Sequence, residues 1–277
     1  MIDGDFLKQL DKFALVIKKR VTSSFVGERQ TAYTGSGLLF RDYATYSYGD
    51  DFKNIDWKVY ARSDKLFVKR FEEDRNLTVH VIIDFSKSMD FKRKFEFASK
   101  IGLGFCYLAL KNNENFVLSS FGEDLQFFKA AKGRGQLNVV IDYLNTQKPR
   151  GGSDFKSLAN YKSLISSKAL VVVISDFFYD INDVKDVLVR FKNNRIKLVQ
   201  VLDAFERKLD ISGEYDLVDL ETGSELKVNF DAYQKQKFFE NLRDHNSKLQ
   251  EFCDEIRAKF HSVGTDEELF DVFYRIV

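Results

Sequence analysis

Apolar residues follow one pattern up to about residue 75 and another beyond it. Over residues 6–20 they return every three or four positions, which predicts an amphipathic helix. Residues 31–71 lack a long helical period and are rich in Gly, Tyr, Phe and Asp, so short strands and turns are predicted. Residues 55–60 alternate as a half-buried strand would, with Ile55, Trp57 and Val59 facing one way.

Beyond residue 75, apolar runs of strand length alternate with helical patterns. Strands are predicted at 77–83, 116–121, 125–128, 169–174 and 196–202, with two short ones within 217–228. Helices are predicted at 95–110, 137–144, 155–165, 181–191 and 231–260, and Thr265 is predicted to cap a last one. Unbroken apolar runs indicate strands covered on both faces, and their alternation with helices indicates a parallel sheet.

The predicted fold class is therefore α/β, with a mainly parallel sheet flanked by helices. A helix and a small β-rich extension occupy residues 1–75, and the main domain occupies residues 76–277. A chain of 277 residues is long enough to bury a core for such a domain.

Charge and hydropathy argue against nucleic acid and membranes as partners. With 43 basic and 42 acidic residues the formal net charge is +1, which gives no field that would gather nucleic acid or anionic lipid. No apolar stretch approaches the roughly 18 to 20 residues that span a bilayer, and residues 1–5 lack the order of a secretory signal. We expect a cytoplasmic protein that neither binds nucleic acid nor inserts into membranes.

Cysteine and histidine do not predict a soft-metal site. Cys106 and Cys253 have no neighbouring cysteine and are predicted to be buried or half-buried free thiols. His80, His245 and His261 are too scattered to suggest a zinc site. Any metal is therefore expected to be bound by oxygen.

Three polar loops follow or lie between the predicted strands, where ligands bind in open parallel sheets. Asp84, Ser86 and Ser88 occupy alternate positions after the first strand and can converge on a cation such as Mg²⁺ if the chain curls. Ser153 can supply another hydroxyl and Asp176 a second carboxylate, directly or through water. The alternative is structural: Asp84 caps a turn, and the two serines after it cap a helix.

These residues resemble the metal-ion-dependent adhesion site of von Willebrand factor A-like domains, and the match covers about residues 76–277. The family usually has Thr where this chain has Ser153, which keeps the hydroxyl. The resemblance implies Mg²⁺ or Mn²⁺ bound by Asp84, Ser86, Ser88, Ser153 and Asp176. We expect Asp154 to be an acidic residue at a helix start rather than part of the site.

The N-terminal segment carries a second resemblance. Its motifs are Gly35-Ser36-Gly37-Leu38-Leu39-Phe40, the Gly49-Asp50-Asp51 to Ile55-Asp56-Trp57 block, Ala61-Arg62 and residues 67–75. They resemble the signature of a bacterial family catalogued as domain of unknown function fifty-eight, and the resemblance covers the whole chain. Ala44 and Tyr48 depart from that signature, where Arg and Pro are frequent. The resemblance implies a protein that works beside a MoxR-type AAA+ ATPase.

Two interpretations apply to Asp50, Asp51, Asp56, Trp57 and Arg62 of this segment. They form either a docking surface or a buried turn and ion-pair network that holds the segment in place, and the second is preferred.

Two functions follow from these features. The first is a non-enzymatic, metal-dependent protein–protein interaction module whose ion takes an acidic group from the partner. The alternative is a Mg²⁺-dependent phosphohydrolase with Asp84 as nucleophile. Such chemistry typically uses a second Asp as acid/base two residues later, where this chain has Ser86. Nucleotide binding is not indicated, because Gly102-Leu103-Gly104 lies inside a helical pattern.

Overall fold

The computed structural model describes residues 2, 4–24, 38–73, 78–122, 125–128, 135–165, 169–219 and 224–277. The helices are α1 (Gly4–Ser24), α2 (Trp57–Ser63), α3 (Lys94–Lys111), α4 (Gly135–Thr146), α5 (Ile181–Leu188), α6 (Ala204–Lys208), α7 (Ala232–Glu255) and α8 (Leu269–Ile276). The strands are β1 (Leu38–Thr45), β2 (Phe67–Glu73), β3 (Thr78–Asp84), β4 (Asn115–Phe121), β5 (Gln126–Phe128), β6 (Ala169–Ser175), β7 (Arg195–Leu202), β8 (Gly213–Val218), β9 (Glu225–Phe230) and β10 (Lys259–Gly264). Short 3-10 helices cover Phe52–Asn54, Lys87–Asp90, Phe155–Leu164 and Val189–Phe191. The Gly35-Ser36-Gly37 motif lies outside the described residues.

Six strands form the central sheet in the order β10-β7-β6-β3-β4-β5. The pairs are parallel except for β4 with β5, which is antiparallel. The predicted von Willebrand factor A-like α/β fold is confirmed. Since β4 lies on one side of β3 and β6 on the other, the strand order reverses beside β3, and the crevice at this reversal is where such sheets bind ligands.

Both faces of the sheet are buried, as the unbroken apolar runs predict. Along β3, Val81 and Ile83 belong to one hydrophobic cluster and Ile82 to the other, and all three are fully buried. Strand β6 divides its valines between the same two clusters. Successive side chains of a strand point to opposite faces, so only a sheet with both faces covered buries such a run completely.

Two glycines let α3 pack closely onto its neighbours. A Cβ atom on Gly102 would lie 2.6 Å from Cδ1 of Ile83, and one on Gly104 would lie 1.9 Å from the ring of Phe273. These glycines therefore serve packing against β3 and α8, in agreement with their interpretation as helical residues rather than as a phosphate-binding turn.

Helix α1 is amphipathic, as predicted, and its apolar face is buried. Phe6, Leu10 and Phe13 belong to the same hydrophobic cluster as α8, and the ring of Phe13 lies 5.7 Å from each of the rings of Phe270 and Phe273. In the part of the chain that the structure describes, no helix combines the length and hydropathy needed to cross a membrane.

The compact units of the structure differ from the predicted division at residues 75 and 76. One unit is Thr22–Asn76, and the other combines Met1–Val21 with Leu77–Val277. Most of α1 therefore belongs with the main domain rather than with the extension, because its apolar face contributes to that domain's core. Sequence periodicity identifies such a face but does not identify what it packs against.

In the smaller unit, β1 and β2 form an antiparallel pair with an irregular register between Phe40 and Asp42. The strand expected at residues 55–60 is wrong, since α2 begins at Trp57. Asp56 is the N-cap, and its Oδ1 accepts hydrogen bonds from the amides of Lys58 and Val59. An aspartate N-cap outweighs a six-residue alternation because it satisfies amides that the first helical turn leaves unpaired.

Three predictions near other helix ends need correction. Helix α7 ends at Glu255 instead of continuing to residue 260: Arg257 adopts a left-handed conformation and the Ala258 amide donates to the carbonyl of Cys253 (2.7 Å). The predicted helix at 155–165 is a 3-10 helix. Thr265 does not cap α8, because its hydroxyl donates to Asp203 instead. The end of α7 could not be predicted, because its left-handed residue is Arg257 and not the glycine that usually marks such a helix end in a sequence.

Candidate metal site

The loops after β3 and before the Phe155–Leu164 3-10 helix meet at the carboxyl edge of the sheet. The amide of Arg150 donates to the carbonyl of Phe85 (2.8 Å), and the amide of Lys87 donates to the carbonyl of Gly151 (3.0 Å). Backbone hydrogen bonds therefore hold the Asp84 and Ser153 loops together without help from their side chains.

Asp84 is the last residue of β3 and is fully buried. Its Oδ1 accepts a hydrogen bond from the amide of Ser86 (2.8 Å), which curls the chain back toward the strand. As a result Oγ of Ser86 lies 2.9 Å from Oγ of Ser88. Ser86 precedes the Lys87–Asp90 3-10 helix but makes no side-chain capping bond to it. The structural alternative therefore holds for Asp84, whose carboxylate caps the turn, but not for Ser86, whose hydroxyl makes no capping bond.

The donor atoms fit a hard divalent cation. Neighbouring ligands of an octahedral ion with bonds of about 2.1 Å lie about 3 Å apart, which is close to the separation of the two serine hydroxyls. Among the described residues there is no group of three or more His, Cys, Asp or Glu side chains placed to hold a metal. The candidate site depends instead on two carboxylates and three hydroxyls, all of them hard oxygen donors.

Tyr179, which the sequence analysis did not single out, connects Ser153 to Asp84. Its hydroxyl donates to Oδ2 of Asp84 (2.5 Å) and is also hydrogen-bonded to the Ser153 hydroxyl. Burial and the charge of Asp84 raise the pKa of Tyr179, so the phenol remains a donor. Oδ2 of Asp84 also accepts from Ser175 (2.6 Å). The signal in the sequence is weak: Tyr179 ends an aromatic run and is the member of it with a polar atom.

Asp176 follows β6 and is buried beside Asp84, but its carboxylate is already paired. Lys94 donates to Oδ2 of Asp176 (2.9 Å) and to Oε1 of Glu206 (2.9 Å), and the lysine side chain is 2% exposed. Neither Lys94 nor Glu206 was predicted from the sequence. The available signal was a lysine in the first turn of a helix, where the helix dipole disfavours a positive charge.

The pKa values of the buried groups Asp84 and Lys94 are both raised, for different reasons. Burial, together with the charge of Asp176, raises the pKa of Asp84 to about 6, against the hydrogen bonds from Ser175, Tyr179 and Ser86. Burial alone would lower the pKa of Lys94, but the carboxylates of Asp176 and Glu206 outweigh it and raise that pKa overall. The described residues around Asp84 therefore supply hydrogen bonds but no cation directly on its carboxylate.

This geometry does not favour the phosphohydrolase alternative, in which Asp84 is the nucleophile. A nucleophilic carboxylate needs an open approach, whereas Asp84 is fully buried and accepts three hydrogen bonds. A cavity of about 310 Å³, lined by residues that include Leu202, Arg207, Phe239 and Arg243, contains none of the five predicted ligands.

In the smaller unit, the Gly49-Asp50-Asp51 to Ile55-Asp56-Trp57 block has features both of a structural network and of an exposed docking surface. Asp56 is buried and its Oδ2 accepts from Tyr43 (2.8 Å) and Lys69 (3.1 Å), which holds its pKa near 2. Asp51 caps the Phe52–Asn54 3-10 helix. These contacts are those of a structural network, whereas Trp57 is 59% exposed and takes no part in them.

Fold and sequence together define a von Willebrand factor A-like protein with an N-terminal β-rich extension. A family model described as "Protein of unknown function DUF58" matches residues 42–248. The chain belongs to the DUF58 family.

Similar proteins include Rv1480 of Mycobacterium tuberculosis, described as uncharacterized, which is 23% identical over 285 residues covering 99% of this chain and 90% of the relative. Among solved structures, an aerotolerance-related membrane protein from Bacteroides fragilis matches 73% of this chain and 96% of its own with 11% identity and a TM-score of 0.45. Manganese-loaded TRAP protein of Plasmodium vivax matches 46% of this chain and 57% of its own with 16% identity and a TM-score of 0.33.

Proposed function

We propose that this protein is a non-enzymatic, metal-dependent protein–protein interaction module. Mg²⁺ or Mn²⁺, bound by Asp84, Ser86, Ser88, Ser153 and Asp176, links the domain to an acidic side chain of a partner. The observation that supports this most directly is the hydrogen-bonded chain from Ser88 through Ser86, Asp84 and Tyr179 to Ser153, at the strand-order reversal.

The donor set favours recognition over hydrolysis. Hydroxyl ligands are neutral, so a divalent ion held mainly by them keeps positive charge that a partner's carboxylate can neutralise. The chain as a whole carries a formal net charge of +1, so attraction of an acidic partner must come from such a local charge.

The proposed partner is a MoxR-type AAA+ ATPase. The support is the resemblance of residues 35–75 to the family signature, together with a family match that extends over most of the chain. An ATPase partner requires ATP, and this is the argument for placing the complex in the cytoplasm.

The test is a pulldown of a purified MoxR-type ATPase by the full-length protein in Mg²⁺ and in chelator. We expect retention in Mg²⁺, loss in chelator, and loss in Mg²⁺ for Asp84→Ala. Binding that persists unchanged in chelator and in Asp84→Ala would remove the metal link from the proposal.

Asp154→Ala is the matched control for this experiment. Asp154 is exposed and adjacent to Ser153, and its carboxylate caps the Phe155–Leu164 3-10 helix by accepting from the amide of Lys156 (2.8 Å). The substitution removes one nearby charge and leaves the five proposed ligands in place, so it is expected to bind the ATPase as the wild type does.

A further inference from the structure

Lys94 is a buried cation that shares a carboxylate with the candidate metal site. It begins α3, is 2% exposed, and its ammonium lies 2.9 Å from both Asp176 and Glu206. A buried ammonium is retained only where carboxylates offset its loss of hydration, so these two contacts explain why a lysine occupies this position.

The ammonium and a divalent cation would make conflicting use of Asp176. If the oxygen bonded to Lys94 also bound a metal at about 2.1 Å, the two cations would lie within about 5 Å of each other. Like charges at that separation repel strongly in a buried site. Bound instead through Oδ1, which accepts from the amide of Phe178 at 3.5 Å, a metal would lie farther from the ammonium but would still share the single negative charge of Asp176 with it. The two cations therefore compete for this carboxylate.

Glu206 gives Lys94 an alternative partner. It lies in α6, directly after β7, and its Oε1 already accepts from Lys94 while its Oε2 accepts from the amide of Asp203 (2.7 Å). An ammonium that gave up Asp176 would still be paired with Glu206. Lys94 thus has two possible pairings, and they differ in whether Asp176 is released.

We propose that Lys94 is a tethered competitor of the divalent cation: it holds Asp176 when no metal is bound and withdraws to Glu206 when metal binds. This inference rests on the proposed function, since it assigns a regulator to the same site. It sets metal affinity through a residue that is not itself a ligand.

The experiment measures Mn²⁺ binding to the full-length protein by the loss of the free-ion electron paramagnetic resonance signal. Lys94→Met keeps the length of the side chain and removes the competitor, so affinity is expected to rise about tenfold or more. Glu206→Gln leaves Lys94 with Asp176 alone, and affinity is expected to fall about threefold or more.

Two further variants separate competition from a general change in charge. Lys92→Met removes a nearby lysine that pairs with Asp203 at 3.6 Å, and its affinity is expected to stay within about threefold of wild type. In a Lys94→Met background, Glu206→Gln is expected to have little further effect, because Glu206 acts through the lysine.

The outcomes distinguish this inference from the proposed function. Equal or weaker Mn²⁺ binding by Lys94→Met, with the wild type still binding, would overturn the competition and leave the metal site standing; Lys94 would then be a residue that positions Asp176. Tighter binding by Lys94→Met than by the wild type supports the competition. Absence of binding by both proteins, each shown to be folded by circular dichroism, would overturn both proposals.

Discussion

Three strands of the central sheet end in a buried aspartate or are followed by one, and two of these carboxylates, those of Asp84 and Asp203, have different surroundings. Asp84 is the last residue of β3 and accepts from an amide and two neutral hydroxyls while facing the charge of Asp176. Asp203 follows β7, caps α6 through the amide of Phe205, and accepts from the Thr265 hydroxyl.

The charge balance around each aspartate separates a structural role from a candidate ligand. Burial acts to raise the pKa of Asp203, but its hydrogen bonds and the charge of Lys92 outweigh burial and lower it. The pKa of Asp84 is raised, because the carboxylate of Asp176 adds to the effect of burial. A buried carboxylate whose ionised form is destabilised by its surroundings is a better candidate for function than one whose ionised form is stabilised.

The largest expected effect is the loss of stability in Asp203→Ala. The variant loses a helix cap and leaves the Thr265 hydroxyl without its acceptor, which together cost about 2 to 4 kcal/mol of unfolding free energy. Urea denaturation measures it. Asp180→Ala is the control, because Asp180 is an exposed cap of α5 and its loss is expected to cost about 1 kcal/mol. Equal losses in both variants would contradict a special role for the Thr265 contact.

A smaller effect of opposite sign is expected for Asp84→Asn in chelator. The amide keeps the shape of the carboxylate and removes its repulsion with Asp176, although its NH2 group cannot accept from Ser175 and Tyr179 as Oδ2 does. Burial and the charge of Asp176 outweigh these hydrogen bonds in the wild type, so unfolding free energy is expected to rise by about 1 to 2 kcal/mol at neutral pH. The same denaturation experiment measures it. A loss as large as that of Asp203→Ala would make Asp84 a structural cap and would end the contrast between the two strand ends.

The smallest expected effect is in the pH dependence of Asp203→Asn. The folded-state pKa of Asp203 lies below its ordinary value of 3.8, so the ionised form stabilises the fold above that pH, and this contribution is lost as the pH falls through the folded-state pKa. The stability difference between wild type and Asp203→Asn should therefore be constant above about pH 5 and shrink below about pH 4. A difference that stays constant down to pH 3 would contradict the lowered pKa.

Much of the fold could be predicted because its signals are local. Near-continuous apolar runs in β3 and β6 identified the parallel strands, and the periodicity of α1 identified its buried face. The missed strand β10 lacks such a run, since only its last two residues are buried. Its formation depends on pairing with β7, which no local pattern reveals.

The candidate site could be predicted only in part. Alternate spacing placed Asp84, Ser86 and Ser88 together, because a strand end followed by a turn is a local structure. Lys94 was missed because its two partners lie 82 and 112 residues away and come near it only through the sheet order. Sequence spacing carries no information about such contacts.

The most direct test of the account is calorimetric titration of the full-length protein with Mg²⁺. The wild type and Asp203→Asn are predicted to bind about one ion per chain, whereas Asp84→Asn is predicted to show no binding, because it loses one of only two ligand carboxylates. Equal affinities for the wild type and Asp84→Asn, or no binding by the wild type, would contradict the assignment of the end of β3 as a metal site.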